Sequence, residues 1–297
     1  MPSFSPPGPL LLRLSMELRR VRLESAEDNP ALRNVTDVEK ALRWGRGRLA
    51  AWERGQWQRP DYTLITVLLD HYGTADPDRQ LILTLVDEAR RTPWYNKYKD
   101  AFRSAYPGFE AAASQLRLIE LMRVPGLFQT AEYAAHMVRS GQALSDDVVQ
   151  QRVEARLARQ NAILNREEPP QISVVIDESA LRKRVGGPKV MADQARHLFE
   201  LSVRGHIQLQ VLPDESGPYL AMHSSFVMLD FPYGMPPSMV FVELASHDLY
   251  LDGPSEVQRH TLVFNQASLL ALTPEQTRAW LATRVDQLEQ RKGDHGP

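Results

Sequence analysis

Between Lys40 and Arg59, six basic residues (Lys40, Arg43, Arg46, Arg48, Arg54 and Arg59) stand against one acid, Glu53, in a chain of 297 residues with a formal net charge of -2. Such a local excess of positive charge in a near-neutral protein suits phosphate recognition. Guanidinium also suits guanine, whose O6 and N7 accept two parallel N–H donors, worth roughly 1–3 kcal/mol of discrimination against another base. Arg46, Gly47 and Arg48 fall where a helix opens, the part of a recognition helix that meets base edges. Arg43, Arg54 and Arg59 fit phosphate contacts, which position without specifying. The competing reading is a solvated helix face that binds nothing.

Chemistry elsewhere is sparser. Asp177 and Glu178 follow a strand-like run and open a helix. They could serve as general acid and base or hold Mg²⁺, or simply cap the helix and favour its dipole. Residues 186–189 (GGPK) lack the spacing of a phosphate-binding P-loop. The eight histidines are scattered without ligand spacing, so no metal or other cofactor is expected. Glu243 lies in an apolar strand, FVEL, where a carboxylate needs a partner if buried. Arg152, Arg156 and Arg159 recur at helical spacing and could supply that partner or an anion site. The segment VPGLFQT, containing Pro125 and Gln129, is a Pro-Gly turn that either lines a pocket or joins packed helices. Pro125, Gln129, Arg152, Arg156 and Glu243 are therefore the candidate ligand or partner residues. A hydrolase-like alternative would set Asp177, Glu178 and Glu243 around one pocket; the preferred reading assigns no catalytic residue.

These side chains need elements to hold them. Leu11, Leu14, Leu18 and Val21 predict a helix over 10–25. Thr36 with Glu39 predicts a capping box opening a second helix that runs to about Trp44. Gly45 and Gly47 bracket a turn, and 48–54 form a third helix. Asp61 caps a fourth helix, stopped at Gly73; Asp76 caps a fifth, with Pro77 at its first position. Helical periodicity recurs at 110–122, 130–140, 146–165, 188–204, 254–270 and 274–290. β-rich runs at 172–177, 206–213, 224–232 and 239–245 predict a βαβ-like unit followed by an antiparallel meander. The fold class is a mainly α N-terminal helix-turn-helix domain plus an α+β C-terminal domain with a small mixed sheet flanked by helices. The expected domains are a disordered tail at 1–9, a DNA-binding domain with linker helix at 10–91, a linker at 92–109, an effector and dimerisation domain at 110–290, and a disordered tail at 291–297. The absence of cysteine excludes disulfides, zinc ribbons and thiol catalysis, and fits a reducing cytoplasm. No apolar run approaches the roughly 18 residues of a membrane span.

WGRGRLAAWERG resembles the turn and recognition helix of XRE-type (lambda-repressor/Cro-like) regulators. EAAASQLRLIELMRVPGLFQTAEYA (110–134), RVEARLARQ (152–160), VVIDESALRKRVGGPKVMADQ (174–194), IQLQVLP (207–213) and FVELASHDLYLDGPSEV (241–257) resemble the large C-terminal domain of unknown function in actinomycete members of that family. The resemblance covers about residues 10–290. It implies a transcriptional regulator; together with the absence of cysteine and the need for two half-sites, the expectation is a cytoplasmic homodimer that binds double-stranded DNA. It also implies an antitoxin-like relationship to a small protein encoded nearby, and a C-terminal domain without visible chemistry is the natural place for a small-molecule effector. One alternative is sequestration of that partner with DNA binding secondary. In the family the second helix opens with Ser/Thr-Gln, whose glutamine reaches a phosphate; Asn34 and Val35 stand there in this chain.

Overall fold

The computed structural model describes residues 8–57, 59–98, 100–102, 104–140, 143–232 and 236–293. Most of the two tails expected to be disordered, residues 1–7 and 294–297, lies outside the described residues. The chain forms two compact units. One takes the described residues of 1–97, 104–112 and 233–236; the other takes those of 98–103, 113–232 and 237–297.

In the first unit the apolar spacing read from the sequence becomes α1, Pro9–Asp28, with Leu14, Leu18 and Val21 buried. It is followed by α2 (Val35–Ala41), α3 (Arg48–Glu53), α4 (Tyr62–Tyr72), α5 (Asp78–Arg90) and α6 (Tyr106–Ala112). Val38, Leu49, Ile65, Leu68, Leu69, Ile82 and Leu85 join α1 in one apolar core. Asp61 caps α4 by accepting the Leu64 N–H at 3.0 Å, and Gly73 ends it at φ 68°.

Two expected caps differ. Asn34, with extended backbone, caps α2 by accepting the Thr36 N–H at 2.9 Å. Thr36 is therefore inside the helix, and Glu39 is freed from a capping box. Likewise α5 opens at Asp78 after Pro77, with no side-chain cap from Asp76.

Arg22 ties this unit together. Its guanidinium makes a two-pronged ion pair with Glu53 at 2.6 and 2.8 Å. Its remaining donor reaches the Leu32 and Arg33 carbonyls at 2.9 Å each. Both side chains are less than a tenth exposed, so α1, the turn before α2 and α3 are joined through one desolvated pair.

The second unit is built on a six-stranded sheet in the order β3-β2-β1-β4-β5-β6. Its strands are β1 (Gln115–Glu120), β2 (Gln171–Asp177), β3 (Ile207–Leu212), β4 (Phe226–Asp230), β5 (Met239–Glu243) and β6 (Asp248–Leu251). β1, β2 and β3 are parallel, whereas β4, β5 and β6 run as an antiparallel meander. The helices of this unit are α7 (Ala131–Arg139), α8 (Asp146–Leu164), α9 (Glu178–Arg182), α10 (Pro188–Ser202), α11 (Pro254–Leu270) and α12 (Pro274–Gly293). Ile119, Val175, Phe226, Met228 and Val240 form an apolar sheet face with Phe264 and Ala267 of α11.

The helix expected at 110–122 is corrected: only α6 occupies its start, and 115–120 is the central strand β1. Leu116 and Ile119 also stand at helical spacing, which hides the four-residue polar–apolar alternation Gln115–Leu118. Arg117 within it is matched by Asp230 of β4 at 2.9 Å.

Removing one member of a buried ion pair strands the other. Glu53→Gln is expected to lower stability by about 3–5 kcal/mol, seen as a lower urea midpoint at constant slope. The double change Arg22→Met with Glu53→Leu should recover most of the loss. An unchanged midpoint for Glu53→Gln would show that the pair holds nothing in place.

Candidate functional site

The turn between α2 and α3 closes with the hydrogen bonds of a Schellman motif. The Trp44 N–H donates to the Glu39 carbonyl at 2.8 Å and the Arg43 N–H to the Lys40 carbonyl at 3.0 Å. The residue that must turn left-handed is Arg43, at φ 55°, a conformation usually given to glycine. After α3 the same motif recurs with Gly55 at φ 78°.

Glu39 is the part of this site that the sequence reading assigned elsewhere. Its buried carboxylate accepts the Gly47 N–H at 2.8 Å and the Leu49 N–H at 2.7 Å. A negative group here complements the positive end of the helix dipole and satisfies donors that open α3. Those amides are thereby occupied, so contacts from this end to a ligand fall to side chains.

Arg43, Arg46, Arg48 and Arg54 are all exposed around α3. Gly47, at φ 85°, is its N-cap. The Arg48 guanidinium lies 5.7 Å from the centre of the Trp44 ring, a cation–π distance. Glu53, the only acid among the cations, is consumed by Arg22. Trp57 is packing: its ring stacks on Trp52 at 4.9 Å and its Nε1 donates to Ser15 at 2.7 Å. Arg59, also exposed, lines an open depression with Asp61, Tyr62 and Arg90. Arg90 was not singled out in the sequence because it lies a whole helix away.

The second unit holds a different cluster, at the carboxyl end of β1. The loop 124–130, containing the 3-10 turn Gly126–Phe128, is clamped by glutamines. Gln129 donates to the Val124 carbonyl at 2.7 Å. Gln160 donates to the Gly126 and Gln129 carbonyls at 2.9 and 2.8 Å. Gln194 donates to the Phe128 carbonyl at 2.7 Å and accepts the Thr130 N–H at 2.8 Å. The Tyr133 hydroxyl accepts the Val124 N–H at 3.2 Å. Pro125 introduces the 3-10 turn. Gln129 is fully buried and its side-chain oxygen accepts from Arg156 of α8. Arg152 stands one turn earlier on α8, half-buried.

The expected pairing of Glu243 is corrected in both respects. Glu243 ends β5 with its side chain 55% exposed, and its partner at 2.5 Å is Arg123, not Arg156. A pair this accessible contributes at most about 1 kcal/mol. Arg123 also faces Glu120 at 3.8 Å. The sequence does not single out Glu120 or Arg123, because helical spacing over 110–122 hides the strand whose end brings them together. Burial, ahead of the opposing field of Arg123, pushes the Glu120 carboxyl above its ordinary range. Burial, followed by the Arg159 and Arg123 guanidiniums, pulls Arg156 down to about 10.

Asp177 caps α9 by accepting the Ser179 N–H at 2.8 Å and accepts a hydrogen bond from Tyr219. Glu178 accepts the Asp214 N–H at 3.2 Å. Asp177 ends β2 and Glu243 ends β5, three strand positions apart in the sheet. At about 4.8 Å per strand this is roughly 14 Å, so these carboxylates do not gather into one pocket. Among the described residues no group of three or more His, Cys, Asp or Glu is placed to hold a metal ion, and no helix is long and apolar enough to cross a membrane.

Two expectations follow for stability. A left-handed L-residue costs roughly 1–2 kcal/mol, offset by roughly 0.5–1 kcal/mol from the extra freedom of an unfolded glycine. Arg43→Gly should therefore raise the melting temperature slightly; a lower one would reveal a compensating contact of the arginine. For Glu120 the folded chain holds its proton more tightly than the unfolded chain. Its contribution thus becomes unfavourable as pH rises from about 4.3 through the raised folded value. Glu120→Gln should gain on the wild type between about pH 4 and about pH 7 in denaturant titrations. A constant difference across that range would contradict a raised carboxyl.

A family model for a domain of unknown function, DUF5753, matches residues 104–283. No curated protein and no solved structure matches the chain. With more than half of its length in that match, including the clamped loop, β1 to β6 and the arginines of α8, the chain belongs to the DUF5753 family.

Proposed function

We propose that the chain is a sequence-specific DNA-binding transcriptional regulator of the cytoplasm, with its DUF5753 domain serving a small-molecule effector or small partner protein. One observation carries this reading: Arg46 and Arg48 are exposed at the opening of α3, while Glu39 of α2 and Glu53 in the last turn of α3 are turned inward. Lys40 pairs with Asp37 at 3.5 Å, but no acid accompanies Arg46 and Arg48 at the surface of α3, which suits a polyanion. The resemblance of WGRGRLAAWERG to XRE-type regulators points the same way.

A single recognition helix reads too few base pairs for a genome, and a two-fold dimer supplies the second half-site. The C-terminal unit offers a surface for it. Leu262 and Leu269, two turns apart on α11, are 62% and 86% exposed. Leu220 and Met222 are also exposed, and the Leu220 N–H donates to Gln266 between those two leucines at 3.0 Å. An apolar patch of this kind suits a second copy of the chain. A partner-sequestering role would use the same patch and leave DNA binding dispensable.

Replacing Arg46 and Arg48 together by alanine should abolish preference for the specific site in gel-shift competition. Arg54→Ala or Arg59→Ala should weaken binding to every sequence alike and make it less salt-dependent, by about one counterion per lost contact. Full site preference in the double variant would defeat the assignment of α3 as the reading helix.

A further inference from the structure

The strand order β3-β2-β1-β4-β5-β6 has one point of reversal. From β1 the chain leaves through α7 and α8 to β2 on one side; after β3 it returns to β4 on the other side of β1. In open parallel sheets such a divergence leaves a ligand-binding crevice at the carboxyl ends of the strands; here β4 runs antiparallel to β1, so the carboxyl end of β1 meets the start of β4 at the same edge. Glu120, Arg123, the clamped loop 124–130 and α8 lie at that end of β1.

Its charges are unequally matched. Arg123 takes both carboxylates, Glu120 at 3.8 Å and Glu243 at 2.5 Å. The hydrogen bond of Arg156 goes to a neutral amide, that of Gln129. Among the described residues no carboxylate lies within ion-pair distance of Arg156. Glu243 reaches Arg156 only through its field, against the repulsion of Arg159 and Arg123, and an enclosed guanidinium without a directly bound counter-ion is costly unless an anion completes it. Gly126 lets the arginines approach the loop closely. A Cβ built there would lie 3.4 Å from Arg159 Nη1 and 3.7 Å from Arg156 Nη1, so two guanidiniums converge on bare backbone. Since Gln129, Gln160 and Gln194 fix that backbone, its geometry is set before any ligand arrives.

We propose that this end of β1 binds a small oxyanion, a carboxylate or phosphate group, through Arg156 beside Gly126, with Arg123 and Glu120 at the border of the site. Guanidinium provides the planar donor fork that such groups accept. The proposal rests on the reading of the DUF5753 domain as the ligand-binding part of the protein, and supplies the chemistry of its ligand.

The test uses the full chain and no DNA. Melting temperature and heat of binding are measured against inorganic phosphate and against acetate, with chloride holding the ionic strength constant. At least one of the two should stabilise the protein saturably, and which one does so identifies the group. Arg156→Gln should weaken that binding about tenfold or more, whereas Arg182→Gln, on an exposed arginine paired with Asp214, should leave it unchanged. Circular dichroism checks folding. If Arg156→Gln does not fold, Arg156→Lys decides, because it keeps the charge and loses the fork. Affinity unchanged in the folded variant, or no saturable effect of either anion on the wild type, overturns the proposal. A gel shift on the same samples reports the DNA reading separately, so that either can fail while the other stands.

Discussion

A polar group taken out of water must find a partner or cost roughly 1–3 kcal/mol, and a charge costs more. The segments that matter in this chain are organised by that constraint. The loop 124–130 could not be buried as apolar packing alone, because its backbone carries donors and acceptors at each residue. Three glutamines and the Tyr133 hydroxyl provide partners, and they arrive from the loop itself, α7, α8 and α10. Satisfying the loop therefore docks those helices around β1. The clamp is neutral, so it adds no charge to compete with the arginines beside it.

Arginine is used in graded environments. Arg22 is deeply buried and fully matched, bonded to both oxygens of Glu53 and to two carbonyls. Arg117, partly accessible, is matched by Asp230 across neighbouring strands. Arg123 is shared between an enclosed Glu120 and an open Glu243. Arg156 faces an amide. Along that series the compensation of charge falls while the side chains remain partly enclosed, and the unmatched end lies at the reversal point of the sheet. Pairs serving architecture are closed on themselves; the cluster at β1 is not.

What could be read in the sequence was local. Asp61 and Gly73 bracket α4 with residues in contact along the chain, and Leu14, Leu18 and Val21 show their face by spacing alone. The meander β4 to β6 was read in kind but without its last strand, whose four residues show little alternation. β1 is hidden because Leu116 and Ile119 also fall at helical spacing, while its polar–apolar alternation spans only Gln115 to Leu118. The capping box failed because Asn34, one residue before the helix, competes with Thr36 and wins on backbone conformation. The glutamine clamp is invisible in sequence, since Gln194 and Phe128 are distant in the chain. Arg156 and Gln129 were picked out for their types, while Glu120 and Arg123 became visible only once the strand was in place.

The six residues of α3 are too few to form a stable helix alone, because nucleating the first turn is unfavourable and few bonds follow to offset it. It is held instead from its two ends, by Glu39 at its opening amides and by Arg22 on Glu53 in its last turn, with Leu49 and Trp52 packed between. Both anchors draw a carboxylate inward. The side chains that remain outward, at Arg46, Arg48 and Arg54, share one sign because the acids that would have neutralised them are spent on holding the helix. Recognition charge and helix stability thus come from one arrangement. Moving either acid to the surface would loosen α3 and dilute its field together. The left-handed Arg43 fits the same economy of space: at the one turn position where glycine is easiest, the chain carries another cation.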